Sequence, residues 1–320
     1  MFRMTPISRR LFLGATAATA ARAKRKAYTF EPADDGMTLK APDGNIVFSY
    51  LTRKPAGVPL AGNNACCFHP VNTLSGERVT DIAPSDHRDH RGMFFAWQSM
   101  DFQRKNGLLR GDFWGWGHFA PTKGRVIVNR DLRLVKADSH SAVVAVRNDW
   151  TIDGEKVMDE ATTAHAHEDG HSRIMDMQFR VTSDGDMTIN QVAFTGFMVR
   201  CRKDGQGLFC DKNGKVTYPD SDPLKPESDW PPADWYSYTI TTEGGKTVSA
   251  AVVDHPSNPR SPWHSPRKLC MLDPCISATG PVHVPANKPL TLRYRAIFAD
   301  GELSADYLNK LSSEFRSKQA

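Results

Sequence analysis

From about residue 40 onward the chain alternates apolar and polar positions or carries short β-branched and aromatic runs. Ile46-Val47-Phe48-Ser49-Tyr50, Arg125-Val126-Ile127-Val128, Ala142-Val143-Val144-Ala145-Val146, Met187 to Val192 and Leu290 to Arg295 are the clearest. Turn dipeptides separate them, beginning at Asp43, Asp153, Asp169, Asp184, Asn213, Gly244 and Asp300. A period of two punctuated by such turns, with no helical pattern between, predicts an all-β, antiparallel β-sandwich. One helix is expected near the C-terminus, where Ser304 can cap and Leu303, Tyr307, Leu308, Leu311 and Phe315 form an apolar stripe. The stretch from Tyr218 to Trp235 holds five prolines. It reads as one excursion at a site rather than a linker, because strands resume beyond it with no change of composition.

The N-terminus changes this picture. Ser8-Arg9-Arg10-Leu11-Phe12-Leu13-Gly14, an alanine-rich run and Ala21-Arg22-Ala23 make a twin-arginine export signal over residues 1–23, with a cleavage site before Lys24. Residues 24–320 are then expected as one β-sandwich domain, working in the periplasm or outside the cell. The whole chain has a formal charge of +5, and removing Arg3, Arg9, Arg10 and Arg22 leaves +1. The basicity therefore belongs mostly to the signal, and gives no reason to expect nucleic acid as a partner. No apolar run is long enough for a membrane-spanning helix.

Export makes the six cysteines candidates for pairing. Cys201 and Cys210 lie symmetrically about Gly205-Gln206, so a hairpin there would oppose their sulfurs and allow a disulfide. Cys270 and Cys275 are similarly disposed about Leu272-Asp273-Pro274.

Three clusters carry chemistry. Asp86-His87-Arg88-Asp89-His90-Arg91 places six ionisable groups between Pro84 and Gly92, ahead of the apolar Met93-Phe94-Phe95-Ala96-Trp97. Such groups converge on a site, pair among themselves or lie in solvent, because burying them unpartnered is costly. Thr163-Ala164-His165-Ala166-His167 puts two imidazoles on one face of a strand. That suits a metal, yet no third ligand stands at a readable spacing, which favours a solvated strand end. Asp254-His255-Pro256-Ser257-Asn258-Pro259-Arg260, followed by Trp263-His264, is a proline-stiffened loop mixing planar polar groups with an aromatic ring.

Phe68-His69-Pro70, the Pro84–Gly92 run with Phe95-Ala96-Trp97, Asp112-Phe113-Trp114-Gly115, the Asp254–Arg260 segment, Trp263-His264 and Leu292-Arg293-Tyr294-Arg295 together resemble the PmoA-like bacterial family, often labelled "methane oxygenase". The likeness covers residues 40–302. It implies a galactose-mutarotase-like sandwich in a carbohydrate-utilisation setting. The oxygenase label is at odds with a chain lacking a spanning helix. Asp89 stands where the family has the first of two adjacent histidines.

The resulting expectation is a carbohydrate substrate and an enzyme working by histidine acid/base chemistry, as a lyase or a hydrolase. His87, His90, Asp86, Arg91 and His264 are the candidate catalytic residues, with His87, His90, Arg91 and His264 lining one pocket. His69, Asp89, Trp97, Trp114, Arg200, Asp254, Asn258 and Trp263 are the candidate substrate contacts. A non-catalytic sugar-binding protein and a metal-dependent oxygenase using one divalent ion at the His/Asp cluster are the alternatives. The oligomeric state is left open.

Overall fold

The computed structural model describes residues 26–62 and 64–318. The expected export signal lies outside them. The described chain is built from antiparallel strands and ends in one α-helix, as the alternation predicts.

Two large sheets form the sandwich. A seven-stranded sheet runs in the order Thr29–Ala33, Gly36–Lys40, Ile46–Leu51, Cys67–Val71, Met93–Ala96, Gly196–Arg200, Met271–Leu272. A nine-stranded sheet runs from Gly214–Lys215 through Gly205–Asp211, Trp235–Thr242, Thr247–Asp254, Leu290–Asp300, Ser172–Thr182, Glu155–Glu168 and Ser141–Ile152 to Arg125–Ala137. A third sheet of four short strands, including Met100–Arg104 and Met187–Ile189, extends the fold at one side.

Inward-facing aromatics join the two large sheets. Phe95 stacks on Phe179 with ring centroids 4.2 Å apart, and Phe197 stacks on Tyr294 at 4.7 Å. Each such buried ring removes apolar area from water, worth about 2–3 kcal/mol apiece, so this seam is a main source of cohesion. Trp97, one of the expected substrate contacts, belongs to the seam: it is fully buried against Phe95 and Trp150.

The helix Ala305–Arg316 starts as expected, with the Ser304 hydroxyl accepting from the Tyr307 amide. Its stripe of Leu308, Leu311 and Phe315 packs on Trp235, Val253, Ile174 and Ile297, covering part of the outer face of the nine-stranded sheet.

The expected disulfides do not form; all six cysteines are free. Cys201 and Cys210 are in different sheets because the segment at Gly205 is not a hairpin. Residues 202–204 carry the chain from the seven-stranded to the nine-stranded sheet, where Cys210 pairs with Ser237. Cys201 instead donates its backbone amide to the Cys270 carbonyl. The Cys275 thiol points to the Val192 carbonyl and the Cys270 thiol to that of Arg267, which excludes their pairing with each other.

Candidate active site

The Pro84–Gly92 segment folds as two consecutive turns. The His87 amide bonds to the Pro84 carbonyl and the His90 amide to that of His87, while Ile82 and Arg91 close the base as a β-bridge. Gly92 ends the segment at φ +66°, and a Cβ there would sit 2.5 Å from the Phe68 carbonyl, so only glycine fits. The turns bring the imidazoles of His87 and His90 within 4.7 Å of each other, centroid to centroid. A regular strand would have sent them to opposite faces.

Arg200, at the end of Gly196–Arg200 and completely buried, lies behind them. One of its amino groups meets both oxygens of Asp86 at 3.0 and 3.1 Å. The other donates to His90 Nδ1 at 3.0 Å. A guanidinium has no acceptor, so Nδ1 carries the lone pair and the His90 proton resides on Nε2. That Nε2 has no hydrogen-bond partner, with Asp89 Oδ2 3.8 Å away. Burial, reinforced by the Arg200 charge, holds the His90 pKa well below its usual value, so the ring is neutral. Burial also lowers that of His87. Burial of Asp86 is outweighed by Lys203 and Arg200, which leave its pKa at about 2.

His264 arrives from the opposite loop by a different device. Trp263 forms a β-bridge with Trp230, exchanging N–H···O bonds of 2.9 Å in both directions, and a second bridge with Pro274. In this three-stranded patch the register places Asp229 and Asp273 on either side of His264. The Asp229 carboxylate accepts from His264 Nδ1 at 2.5 Å, and both side chains are almost fully buried. Burial raises the Asp229 pKa, with His264 opposing the rise. His264 Nε2 is left without a partner. Asp273, fully buried and next to the Asp229 charge, is pushed well up and is held protonated.

These pieces face one cleft of about 100 Å³, walled by His87, His90 and His264 with Trp116, Phe194, Ser221, Pro223 and Lys268. Phe194 stacks on the His264 ring at 5.0 Å and meets Trp116 at 5.3 Å. The volume is small beside the roughly 300–1,000 Å³ common for ligand pockets, so the cleft admits one end of a glycan rather than a length of it. Larger grooves lie elsewhere on the surface, but none gathers free ring nitrogens in this way.

The three histidines therefore converge as expected; several other candidates do not. Arg91 is turned away from the cleft. Its guanidinium donates to the carbonyls of Trp114, Phe113 and Asp89 and lies 4.2 Å over the Phe94 ring, which makes it a structural pin. Asp89 accepts from the Trp114 indole at 2.9 Å, and both support His90 from below. His69 bonds to Thr80 outside the cleft, and burial with the Arg78 charge lowers its pKa to about 3. Asp254 and Asn258 brace their own loop: the Asn258 amide donates to Asp254 and to the Arg293 carbonyl, and its oxygen accepts from the Arg293 amide. Burial raises the Asp254 pKa to about 7. Trp263 is a core residue against Tyr236. Arg200 touches Asp86 and His90 rather than the open cleft.

Asp229, Phe194, Ser221 and Lys268 were not anticipated. The proline-rich excursion was the available signal for Asp229 and Ser221, since both lie on it. Among the described residues no three His, Cys, Asp or Glu side chains are placed to share a metal ion. In the His/Asp turns the carboxylates are already engaged, Asp86 by two cations and Asp89 by an indole. The divalent ion of the oxygenase alternative thus finds no ready donor set there.

A family model described as a family of unknown function, DUF6807, matches residues 40–313. The chain belongs to DUF6807. That description carries neither an activity nor the PmoA-like name. Comparison with curated proteins gives no match. Among solved structures, galactose 1-epimerase from Lactobacillus acidophilus NCFM is similar at 10% identity, over 87% of this chain and 99% of that one, with a TM-score of 0.42. A galactose mutarotase related enzyme from Lactobacillus acidophilus gives 8%, 86%, 100% and 0.39 for the same quantities. A GH36 α-galactosidase from Geobacillus stearothermophilus gives 8%, 88%, 40% and 0.39. Likeness at this level carries no argument about activity. Among the described residues of this DUF6807 chain, no helix is long and apolar enough to cross a membrane.

Proposed function

We propose that the cleft is the active site of a carbohydrate-acting enzyme that moves protons on a sugar, most simply by elimination. The observation that carries this is the pair of opposite tautomers facing one space. Asp229 holds the proton of His264 on Nδ1, leaving the Nε2 lone pair as a base. Arg200 holds that of His90 on Nε2, leaving an N–H as a donor. His264 takes a proton from a carbon beside a carbonyl or carboxylate. The C–H electrons form the new double bond, and the leaving oxygen departs with the proton from His90. A sugar ring lies against Phe194 and Trp116, whose faces suit its C–H surface. Hydrolysis by paired carboxylates is less well supported, because Asp229 sits behind His264 and not in the cleft.

The test is a panel of uronate-containing and oxidised glycosides, followed by absorbance of the unsaturated product. Turnover should fall about 100-fold or more in His264→Ala with affinity retained. Wild-type binding without any turnover, equal to that of the variant, would make the protein a sugar-binding module. Export is proposed from residues 1–23 alone, and mature protein beginning at Lys24 in the exported fraction is its check.

A further inference from the structure

Two cysteines far apart in sequence meet at the last strand of the seven-stranded sheet. There Val199 faces Leu272 and Arg200 faces Met271 in antiparallel register. The next rung sets Cys201 opposite Cys270, and the Cys201 amide donates to the Cys270 carbonyl at 2.9 Å. In a hydrogen-bonded pair of this kind the Cα atoms stand about 5.5 Å apart, the usual separation across a disulfide. Side chains alternate along the strand Gly196–Arg200. Arg200 turns to Asp86 and His90, while Phe197 turns inward and stacks on Tyr294. Cys201 continues the inward set, and a residue directly opposite it projects to the same face.

Both thiols are buried, and both lie near Tyr238 of the facing sheet. The Tyr238 hydroxyl has no hydrogen-bond partner among the described residues, and its pKa is raised by burial first, then by Cys270 and Cys201. The contact of the Cys270 thiol with the Arg267 carbonyl, at 3.5 Å, is weak, so little is lost in redirecting it. Cys270 ends the short turn Arg267–Leu269 and keeps slight exposure, whereas Cys201 has none.

We propose that Cys201 and Cys270 are a redox-active pair that closes to a disulfide in an oxidising compartment and clamps one wall of the cleft. The Cys270 sulfur, as thiolate, attacks an external disulfide such as oxidised glutathione, and one thiol leaves. The Cys201 sulfur, losing its proton, then attacks Cys270 in the mixed disulfide, and the second thiol leaves. The two electrons given up by the pair reduce the external S–S bond, and its two thiols carry away the two protons. The new bond joins the strand whose Arg200 sets the His90 proton to residues 266–271, of which Pro266, Lys268, Leu269 and Met271 face the cleft. The compartment rests on the export reading; the pairing rests on register alone.

The experiment treats the full chain with oxidised glutathione, once folded and once during refolding, and maps the non-reduced peptides. Peptides holding Cys201 and Cys270 should be linked and should separate on reduction. The bond closes a loop of about 70 residues, so the oxidised protein should melt about 5 °C or more above the reduced one. Hydrogen exchange at the Leu269 and Met271 amides should slow. In Cys270→Ala the oxidant should leave Tm unchanged; the wild-type peptide map decides the pairing even if that variant fails to fold. Free Cys201 in both samples, a lasting glutathione adduct on Cys270, or a link from either to another cysteine would overturn the pairing. Unchanged exchange at Leu269 and Met271 in the linked protein would overturn the clamp. Neither result depends on turnover or on where the protein works.

Discussion

Two histidine pairs sit in this protein, and they are made from the same parts. His87 and His90 lie 4.7 Å apart over an Asp86–Arg200 ion pair; His165 and His167 lie 5.1 Å apart beside an Asp176–Arg295 ion pair. Burial lowers all four imidazole pKa values. The difference is where each arginine spends its second amino group. Arg200 gives it to a ring nitrogen and so decides which atom of His90 bears the proton. Arg295 gives it to the Leu311 carbonyl and so ties the C-terminal helix to the sheet. Of these two pairs, only the first has a group behind it that orients a ring.

The largest effect should come from the arginines. Arg200→Ala and Arg295→Ala each empty the site of a buried guanidinium and strip its hydrogen bonds, leaving Asp86 to Lys203 and Asp176 to Lys318, so each should lose about 2–3 kcal/mol in urea unfolding. Only Arg200→Ala should also change the ¹⁵N signals of its neighbouring histidine. Matching changes at His165 in Arg295→Ala would erase the distinction drawn above.

A smaller effect concerns acid. His90 is neutral in the folded chain, whereas in the unfolded chain it titrates near 6.5. Below that pH the unfolded chain binds the extra proton, so acidification destabilises the fold. Between pH 6.5 and 5.5 the wild type should lose about 1 kcal/mol relative to His90→Gln. Parallel stability curves for the two proteins would show that His90 protonates in place.

The smallest effect is expected on the sheet face. His165→Ala and His167→Ala should each change stability by no more than about 0.5 kcal/mol, because their rings are half-buried and unbonded. A loss above about 2 kcal/mol from either would reveal an ordering partner for that pair.

The sandwich, the terminal helix and the Pro84–Gly92 turns were legible because local periodicity and turn chemistry decide them. The convergence of His264 with His87 and His90 was legible only as a pattern of motifs, without the contacts. What local reading missed was set by pairing across long separations. Asp229 stands 35 residues before the histidine it orients, and only the Trp230–Trp263 bridge brings them together. Arg91 looked like a site residue because His87 and His90 beside it line the cleft. Its direction was decided by three carbonyls, two of them from a segment more than twenty positions away. Cys201 and Cys210 flank a glycine that begins a strand of the other sheet. No spacing rule separates that from a hairpin.

The Trp230–Trp263 bridge also ties His264 to the proline-rich excursion. The bridge is short, but Trp230 is anchored in the core, with its indole donating to the Pro219 carbonyl and its ring against Phe209 and Tyr236. The residue before Trp230 is Asp229, the group that fixes the tautomer of His264. The walls Ser221 and Pro223 lie on the same piece of chain. One anchor therefore holds both a wall of the cleft and the tautomer of His264, and hydrogen exchange at the Trp230 and Trp263 amides would measure how firmly.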